Sequence, residues 1–142
     1  MAASGRLGNR WRHVSLERVA QRVLAWERAP AHSHVDITLL SAVAMRRLNR
    51  RATGRRGLTD VIAYSLPQPP PDGRLVGDVY ICPQAAARVA GNGIGLEEEL
   101  VRLAVHGTLH VLGYEHPEGP GRTRSAMWRR QERYVQRLLR SR

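Results

Sequence analysis

The sequence predicts an α+β domain in which a small mixed β-sheet is covered by helices. Three observations support this fold class. The chain has 142 residues, enough for one domain with its own core. Helical and strand-like periodicities follow one another in the order α-β-α-β-β-α-α-α. One cysteine and no phenylalanine predict an aliphatic core without disulfides. We expect residues 1–142 to form one domain, with residues 1–13 as a flexible basic tail.

The first part of the chain is predicted to supply two helices and one strand. Ser15 is predicted to cap a helix that runs to about residue 27, and residues 34–40 alternate apolar and polar side chains as a strand does. Ser41 is a good N-cap for a second helix that ends near residue 51. The inward face of this second helix is predicted to carry Val43, Ala44 and Leu48.

The middle of the chain is predicted to supply two strands. Residues 59–66 (TDVIAYSL) and 76–82 (VGDVYIC) are rich in β-forming residues. Residues 67–73 contain four prolines and can continue neither a strand nor a helix. Pro83 suits the first turn of the helix that follows, and a glycine cluster at 91–93 ends that helix.

The longest predicted helix covers residues 97–112. Three glutamates stand in its first turn, where the helix dipole favours them, and Gly113 suits its C-terminal end. Residues 100–112 are apolar on almost every side, with Arg102 as the only formal charge, so this helix is predicted to be buried. A last helix over residues 124–139 is predicted to turn Met127, Val135 and Leu138 inward.

The charge of the chain points to a polyanionic partner. Its 23 basic residues, all arginine, outnumber 12 acidic residues, for a net charge of +11. Residues 57–121 hold only three of these arginines and eight of the acidic residues, so the positive excess lies outside that segment. Nucleic acid is the commonest partner of such a surface, and the alternative is an ordinary solvated face or tail.

Three histidines have the spacing of a catalytic metal site. His106 and His110 lie one turn apart on one face of the buried helix, so both rings can reach one ion. His116 follows the helix-ending Gly113 in HGTLHVLGYEH, which is the spacing of the extended zinc helix of metzincin proteases. Three histidines leave the fourth zinc position open to water. Gly107 stands where a metzincin has its glutamate base, which argues against a protease.

The same segment resembles the signature HGxLHLxGYDH of the YbeY-type endoribonucleases, bacterial factors in ribosomal RNA maturation. Further segments resemble that family in the same order, from about residue 35 to residue 140. They are Leu48-Asn49, TDVI at 59–62, GDV at 77–79, the helix at 84–90, Glu99-Leu100 and Met127.

The resemblance implies a zincin-like α+β fold with a central, buried, metal-binding helix. It also implies one Zn²⁺ per chain, held by His106, His110 and His116. The implied activity is zinc-dependent hydrolysis of single-stranded RNA in ribosomal RNA maturation and ribosome quality control. The implied partners are ribosomal RNA and the small ribosomal subunit.

The family's catalytic arginine is replaced in this chain. It stands six residues before the threonine of TDV, and that position is Thr53 here. Four arginines surround Thr53, namely Arg50, Arg51, Arg55 and Arg56, and any of them can be the replacement. We take Arg51 and Arg55 as the first candidates for the catalytic role, and the sequence does not decide which arginine it is.

Other functions stay open at this point. The second hypothesis is a non-catalytic ribosome-assembly factor with a structural zinc and a basic RNA-binding surface, and the third is a hydrolase of another substrate. Asp60 and Asp78 are predicted to accept hydrogen bonds from loop backbone, and the alternative is a catalytic role. Trp128 is predicted to pack against a helix, and the alternative is base stacking. No apolar run is long enough for a bilayer and no signal peptide is evident, so we expect a cytoplasmic protein without a membrane partner.

Overall fold

A computed structural model describes residues 13–66, 70–91 and 95–140. The predicted α+β class is confirmed, and the elements follow the predicted order with one added 3₁₀ turn. The predicted tail lies outside the described residues except for His13, where the first helix begins. The elements are α1 (His13–Trp26), β1 (His34–Leu39), α2 (Ala42–Thr53), β2 (Val61–Ser65), β3 (Val76–Ile81), α3 (Pro83–Ala90), α4 (Leu96–Val111), the 3₁₀ turn (Arg122–Arg124) and α5 (Ala126–Arg140).

The three strands form one mixed sheet in the order β1-β3-β2. β1 is parallel to β3, with Val35 opposite Gly77, and β2 is antiparallel to β3, with Val61 opposite Ile81. Val35 and Ile37 of β1 are buried, as the alternation in the sequence predicted, and β3 buries alternate residues in the same way. The sheet therefore has one apolar face, which α4 and α1 cover.

Helix α4 is the element on which most of the fold packs. It contacts β2, β3 and the helices α1, α3 and α5, and its residues are buried without a break from Glu99 to Leu109. The buried Arg102 is neutralised by three carboxylates. Its guanidinium donates to Glu132 at 2.7 Å, to Glu98 at 3.0 Å and to Glu99 at 3.1 Å. The predicted burial of this helix is confirmed.

Helix α4 approaches the sheet most closely at Gly107. A Cβ atom added there would lie 2.5 and 2.8 Å from the two Cγ atoms of Val79 on β3. Only hydrogen fits between the helix backbone and that strand, so the contact requires glycine. The same lack of space leaves no room for the glutamate that a metzincin carries at this position.

Two predictions of detail were wrong. Val43 does not face inward but is 58% exposed, because the buried side of α2 is the one that carries Met45 and Asn49. Residues two apart on a helix point in nearly opposite directions, so Val43 and Met45 cannot share a face. Helix α1 begins at His13 and includes Ser15 within its first turn, so that serine is not its cap.

Several other local predictions hold. Ser41 caps α2 by accepting a hydrogen bond from the Ala44 backbone, and Pro83 is the first residue of α3. Met127, Val135 and Leu138 of α5 are buried as predicted. None of the helices within the described ranges combines the length and the apolar character needed to cross a membrane.

Candidate metal centre

The three predicted histidines come together at one end of α4. His106 and His110 lie on the last turns of the helix, and His116 lies on the loop that follows. The centroids of the three rings are 4.6 to 5.1 Å apart, and each ring offers one nitrogen within 4.8 Å of the others. Three imidazoles this close together can hold one metal ion.

Gly113 makes the chain turn back toward the helix. Its φ of 103° lies in the region that favours glycine. The Gly113 and Tyr114 backbone N–H groups donate to the His110 and Leu109 carbonyls at 2.9 and 3.0 Å, which closes the end of α4. This reversal brings His116 back beside the two helical histidines, as the sequence predicted.

Each histidine has its Nδ1 atom against a protein acceptor. The His106 Nδ1 lies 2.6 Å from Gln131 Oε1, the His110 Nδ1 lies 2.9 Å from the Tyr114 carbonyl, and the His116 Nδ1 lies 3.0 Å from the carbonyl of Pro117. These oxygens can only accept, so each Nδ1 carries the proton and each Nε2 keeps its lone pair. The three rings are therefore in the tautomer that suits ligation through Nε2.

The electrostatics of the site favour neutral imidazoles. Burial, the largest cause, and the neighbouring histidines together lower the pKa of His106 to about 4. Burial and the nearby His116 also lower the pKa of His110. A neutral imidazole is the form that binds a metal ion, so both the geometry and the protonation of the residues fit one.

Gln131 orients His106 from behind. Its amide nitrogen donates to Glu132 Oε2 at 2.9 Å, so its amide oxygen faces the histidine. Glu132 is held in turn by two hydrogen bonds from Arg102, at 2.7 and 2.8 Å. The prediction from the sequence did not include Gln131. Its position one turn after Met127, on the predicted inner face of the last helix, is the signal that could have found it.

Glu27 helps to orient His110 indirectly, through Tyr114. Its carboxylate accepts hydrogen bonds from the Tyr114 and Tyr134 hydroxyl groups and, at 2.9 Å, from the Arg130 guanidinium. Tyr114 is thereby fixed at both ends, by its hydroxyl to Glu27 and by its carbonyl to His110. Glu27 and Tyr114 are 87 residues apart, so no local pattern in the sequence links them.

The histidines line a cavity of about 810 Å³ that the basic loop after α2 also borders. Arg55 lines this cavity, whereas Arg51 lies on the exposed last turn of α2 and does not. Arg55 is 4.0 Å from Glu118, with both side chains exposed. Thr53 also lines the cavity, and its hydroxyl donates to the Asn49 carbonyl at 2.8 Å.

Arg122 is a cation of this cavity that the sequence reading also missed. It lies on the 3₁₀ turn after the histidine loop and lines the cavity together with the three histidines. Its guanidinium carbon is 5.6 Å from the ring centroid of Trp128. Arg122 and Arg55 therefore place positive charge on the walls around the histidines.

Comparison with known proteins gives a consistent result. The family described as endoribonuclease YbeY matches residues 8–139. Two relatives of that description come from Moorella thermoacetica and Pelotomaculum thermopropionicum. The first is 38% identical over 117 residues, covering 75% of both chains. The second is 36% identical over 129 residues, covering 87% of this chain and 84% of the relative.

A solved structure supports the same fold. The solution structure of a protein from Thermotoga maritima superimposes with a TM-score of 0.59 and 27% sequence identity. The match covers 88% of this chain and 79% of the other.

Proposed function

The chain belongs to the YbeY endoribonuclease family, and from that membership we propose that it is a zinc-dependent endoribonuclease that cleaves single-stranded RNA. The observation that carries the proposal is the cluster of His106, His110 and His116, with protonated Nδ1 atoms, on the wall of a large cavity. In this proposal the three histidines hold one Zn²⁺ per chain, because their donor atoms are the nitrogen ligands that zinc prefers.

Zinc and the protein would divide the chemistry between them. A bound zinc supplies Lewis-acid chemistry, activating water and neutralising phosphate charge. Gln131 and the carbonyls of Tyr114 and Pro117 keep the ligands in the correct tautomer and orientation. Arg55 is our first candidate for holding the phosphate, because it lines the cavity, and Arg51 is the second.

The finer aspects of the proposal come from family membership. We propose that the substrate is ribosomal RNA, that the partner is the small ribosomal subunit, and that the role is RNA maturation and quality control. We also propose that the chain acts as one domain in the cytoplasm. The zincin-like relationship of its fold is part of the same proposal.

A metal analysis combined with an RNA degradation assay tests the central proposal. We expect about one zinc per chain, and a chelator is expected to lower the melting temperature, because ligation stabilises the folded state. His34→Ala is the matched control. His34 belongs to a second group with Glu17 and Asp36, but its ring is already 2.7 Å from the Asp36 carboxylate. The control should therefore keep its zinc, and metal-free protein whose melting ignores added zinc would contradict the proposal.

A second function is favoured by one feature of the cavity. The family's arginine is replaced by Thr53, which carries no charge. The Thr53 hydroxyl donates a hydrogen bond to Asn49. A chain weakened in phosphate chemistry could retain zinc for stability and act as an RNA-binding assembly factor. Zinc-loaded protein that binds single-stranded RNA without cutting it would establish this alternative.

The arginines after Leu48 are expected to bind phosphates. Replacing Arg51 and Arg55 with glutamine should weaken RNA binding for all sequences alike and reduce the salt slope by about 0.7 for each phosphate that is no longer neutralised. Zinc content should not change. The matched control replaces Arg46 and Arg47, which are exposed on the same helix and do not line the cavity. Equal slopes for both double variants and the parent would assign these arginines to an ordinary solvated face.

A further inference from the structure

A second cavity of about 330 Å³ adjoins the histidine cavity. The two share three lining residues, Asp60, His106 and Arg122. The remaining wall of the smaller cavity includes the apolar side chains of Leu103 and Trp128. Its volume is at the lower end of the range for small-molecule sites, which suits a single planar group better than a longer segment. A ligand in this cavity would lie next to the proposed metal site.

Trp128 and Arg122 form a pair at the junction of the cavities. Trp128 is half-buried and lines the second cavity, so part of this side chain is accessible from the cavity. The Arg122 guanidinium lies over this ring and has no carboxylate within ion-pairing distance among the residues of the described segments. An aromatic face beside a cation is the arrangement that holds a base and its phosphate in single-stranded nucleic acids.

Apart from the donors of Arg122 and of the Trp128 indole, the polar groups with spare hydrogen-bonding capacity in this cavity are acceptors. Arg102 also lines it, but the guanidinium already donates to Glu98, Glu99 and Glu132. Gln131 uses its amide nitrogen on Glu132 and its oxygen on His106. The carboxylates of Asp60 and Glu99 remain, and each has more acceptor positions than its hydrogen-bond donors fill.

We propose that this second cavity binds the base of the nucleotide next to the cleaved phosphate and selects bases that carry an exocyclic amino group. Trp128 provides the stacking face and Arg122 binds the adjoining phosphate. The Asp60 and Glu99 carboxylates accept from the amino group, which cytosine has at the position where uracil has an oxygen. This inference rests on the proposed RNA cleavage, since it assigns the neighbouring subsite of the same active site.

Binding of 5′-CMP and 5′-UMP to the zinc-loaded protein tests the proposal. The two nucleotides have the same phosphate and the same ring size, and neither contains an internucleotide phosphodiester bond that the enzyme could cleave. Tryptophan fluorescence is the readout, because a base stacked on Trp128 should quench its emission. We expect CMP to bind at least about fivefold more tightly than UMP, which is the low end of the discrimination from a good base contact.

Two variants and one control define the site. Trp128→Leu should remove the quenching and weaken CMP binding by roughly 5- to 100-fold, which is the range for loss of a stacked base. Arg122→Gln changes an exposed side chain, so it should fold normally, and it should weaken CMP and UMP equally. Arg137→Gln is the matched control, because Arg137 also lies over a tryptophan, Trp26, and lines neither cavity. The control should bind CMP as the parent does.

The outcomes separate this proposal from the proposed function. Equal binding of CMP and UMP by a parent that cuts RNA would overturn the base subsite and leave the endoribonuclease intact. Unchanged CMP binding by both Trp128→Leu and Arg122→Gln would do the same. If circular dichroism shows that Trp128→Leu is unfolded, the CMP binding of Arg122→Gln alone decides the outcome. A zinc-loaded parent that neither binds the nucleotides nor cuts RNA would overturn both proposals.

Discussion

His110→Ala is expected to abolish bound zinc and RNA cleavage while RNA binding stays close to that of the parent. His110 supplies one of three proposed ligands, so its loss leaves two imidazoles, which hold zinc poorly. We expect cleavage to fall by more than about 100-fold, because losing even a partner behind a metal ligand can cost that much. The arginines proposed to bind RNA phosphates lie on other elements, so RNA binding should persist. Metal analysis, a cleavage assay and an RNA-binding assay on the same preparation measure the three effects.

Unfolding is the main confounder of that experiment. The His110 ring also donates to the Tyr114 carbonyl at 2.9 Å, so alanine removes a support of the loop as well as a ligand. His116→Ala is therefore the second variant, since His116 lies on the loop outside the buried helix. Circular dichroism should accompany both. A folded, metal-free variant that cuts RNA as fast as the parent would show that the cleavage does not depend on this site.

Gly107→Ala is expected to destabilise the fold by about 1–3 kcal/mol, the usual cost of overpacking a core. The added methyl group would meet the Cγ atoms of Val79 at 2.5 and 2.8 Å. Val79 is fully buried on the central strand and has a stiff β-branched side chain, so it has little freedom to move aside. Alanine has the higher helix propensity, by roughly 1 kcal/mol, but this gain is smaller than the clash. Denaturant unfolding in the presence of a chelator measures the destabilisation separately from zinc binding.

Two further variants test the cause of that destabilisation. Gly91→Ala is the matched control, because Gly91 has a helical φ of −62° and its nearest neighbours would be 3.6 Å away. It should be neutral or slightly stabilising. Shortening Val79 to alanine in the Gly107→Ala background should recover part of the stability, since it removes the two atoms that clash. Gly107→Ala protein as stable as the parent would contradict the close approach of helix and strand.

Much of the fold could be predicted because its signals are local. The order of helices and strands, the burial of α4 and the alternation in β1 follow from periodicities within a few residues of each other. The meeting of His106 and His110 is also local, because a helix places residues four apart on one face. Gly113 predicted the turn that returns His116 to them.

An error arose where the local pattern did not determine which face of a helix is buried. Helix α2 has few apolar residues, so its pattern favoured Val43 when packing had selected Met45 and Asn49. Which face of a helix is buried depends on the element that packs against it, and the sequence of the helix alone does not specify that element.

The sequence by itself determined the element order, the buried helix and the histidine spacing, because each depends on geometry inside one helix, strand or turn. Only the tertiary structure decided which residues form hydrogen bonds with the histidines and which residues hold those partners in place. Gln131 reaches His106 from 25 residues away, and Tyr114 is fixed by Glu27 from 87 residues away. Contacts of this kind form when separate elements dock, and docking is set by the shape and packing of the whole core rather than by any local pattern.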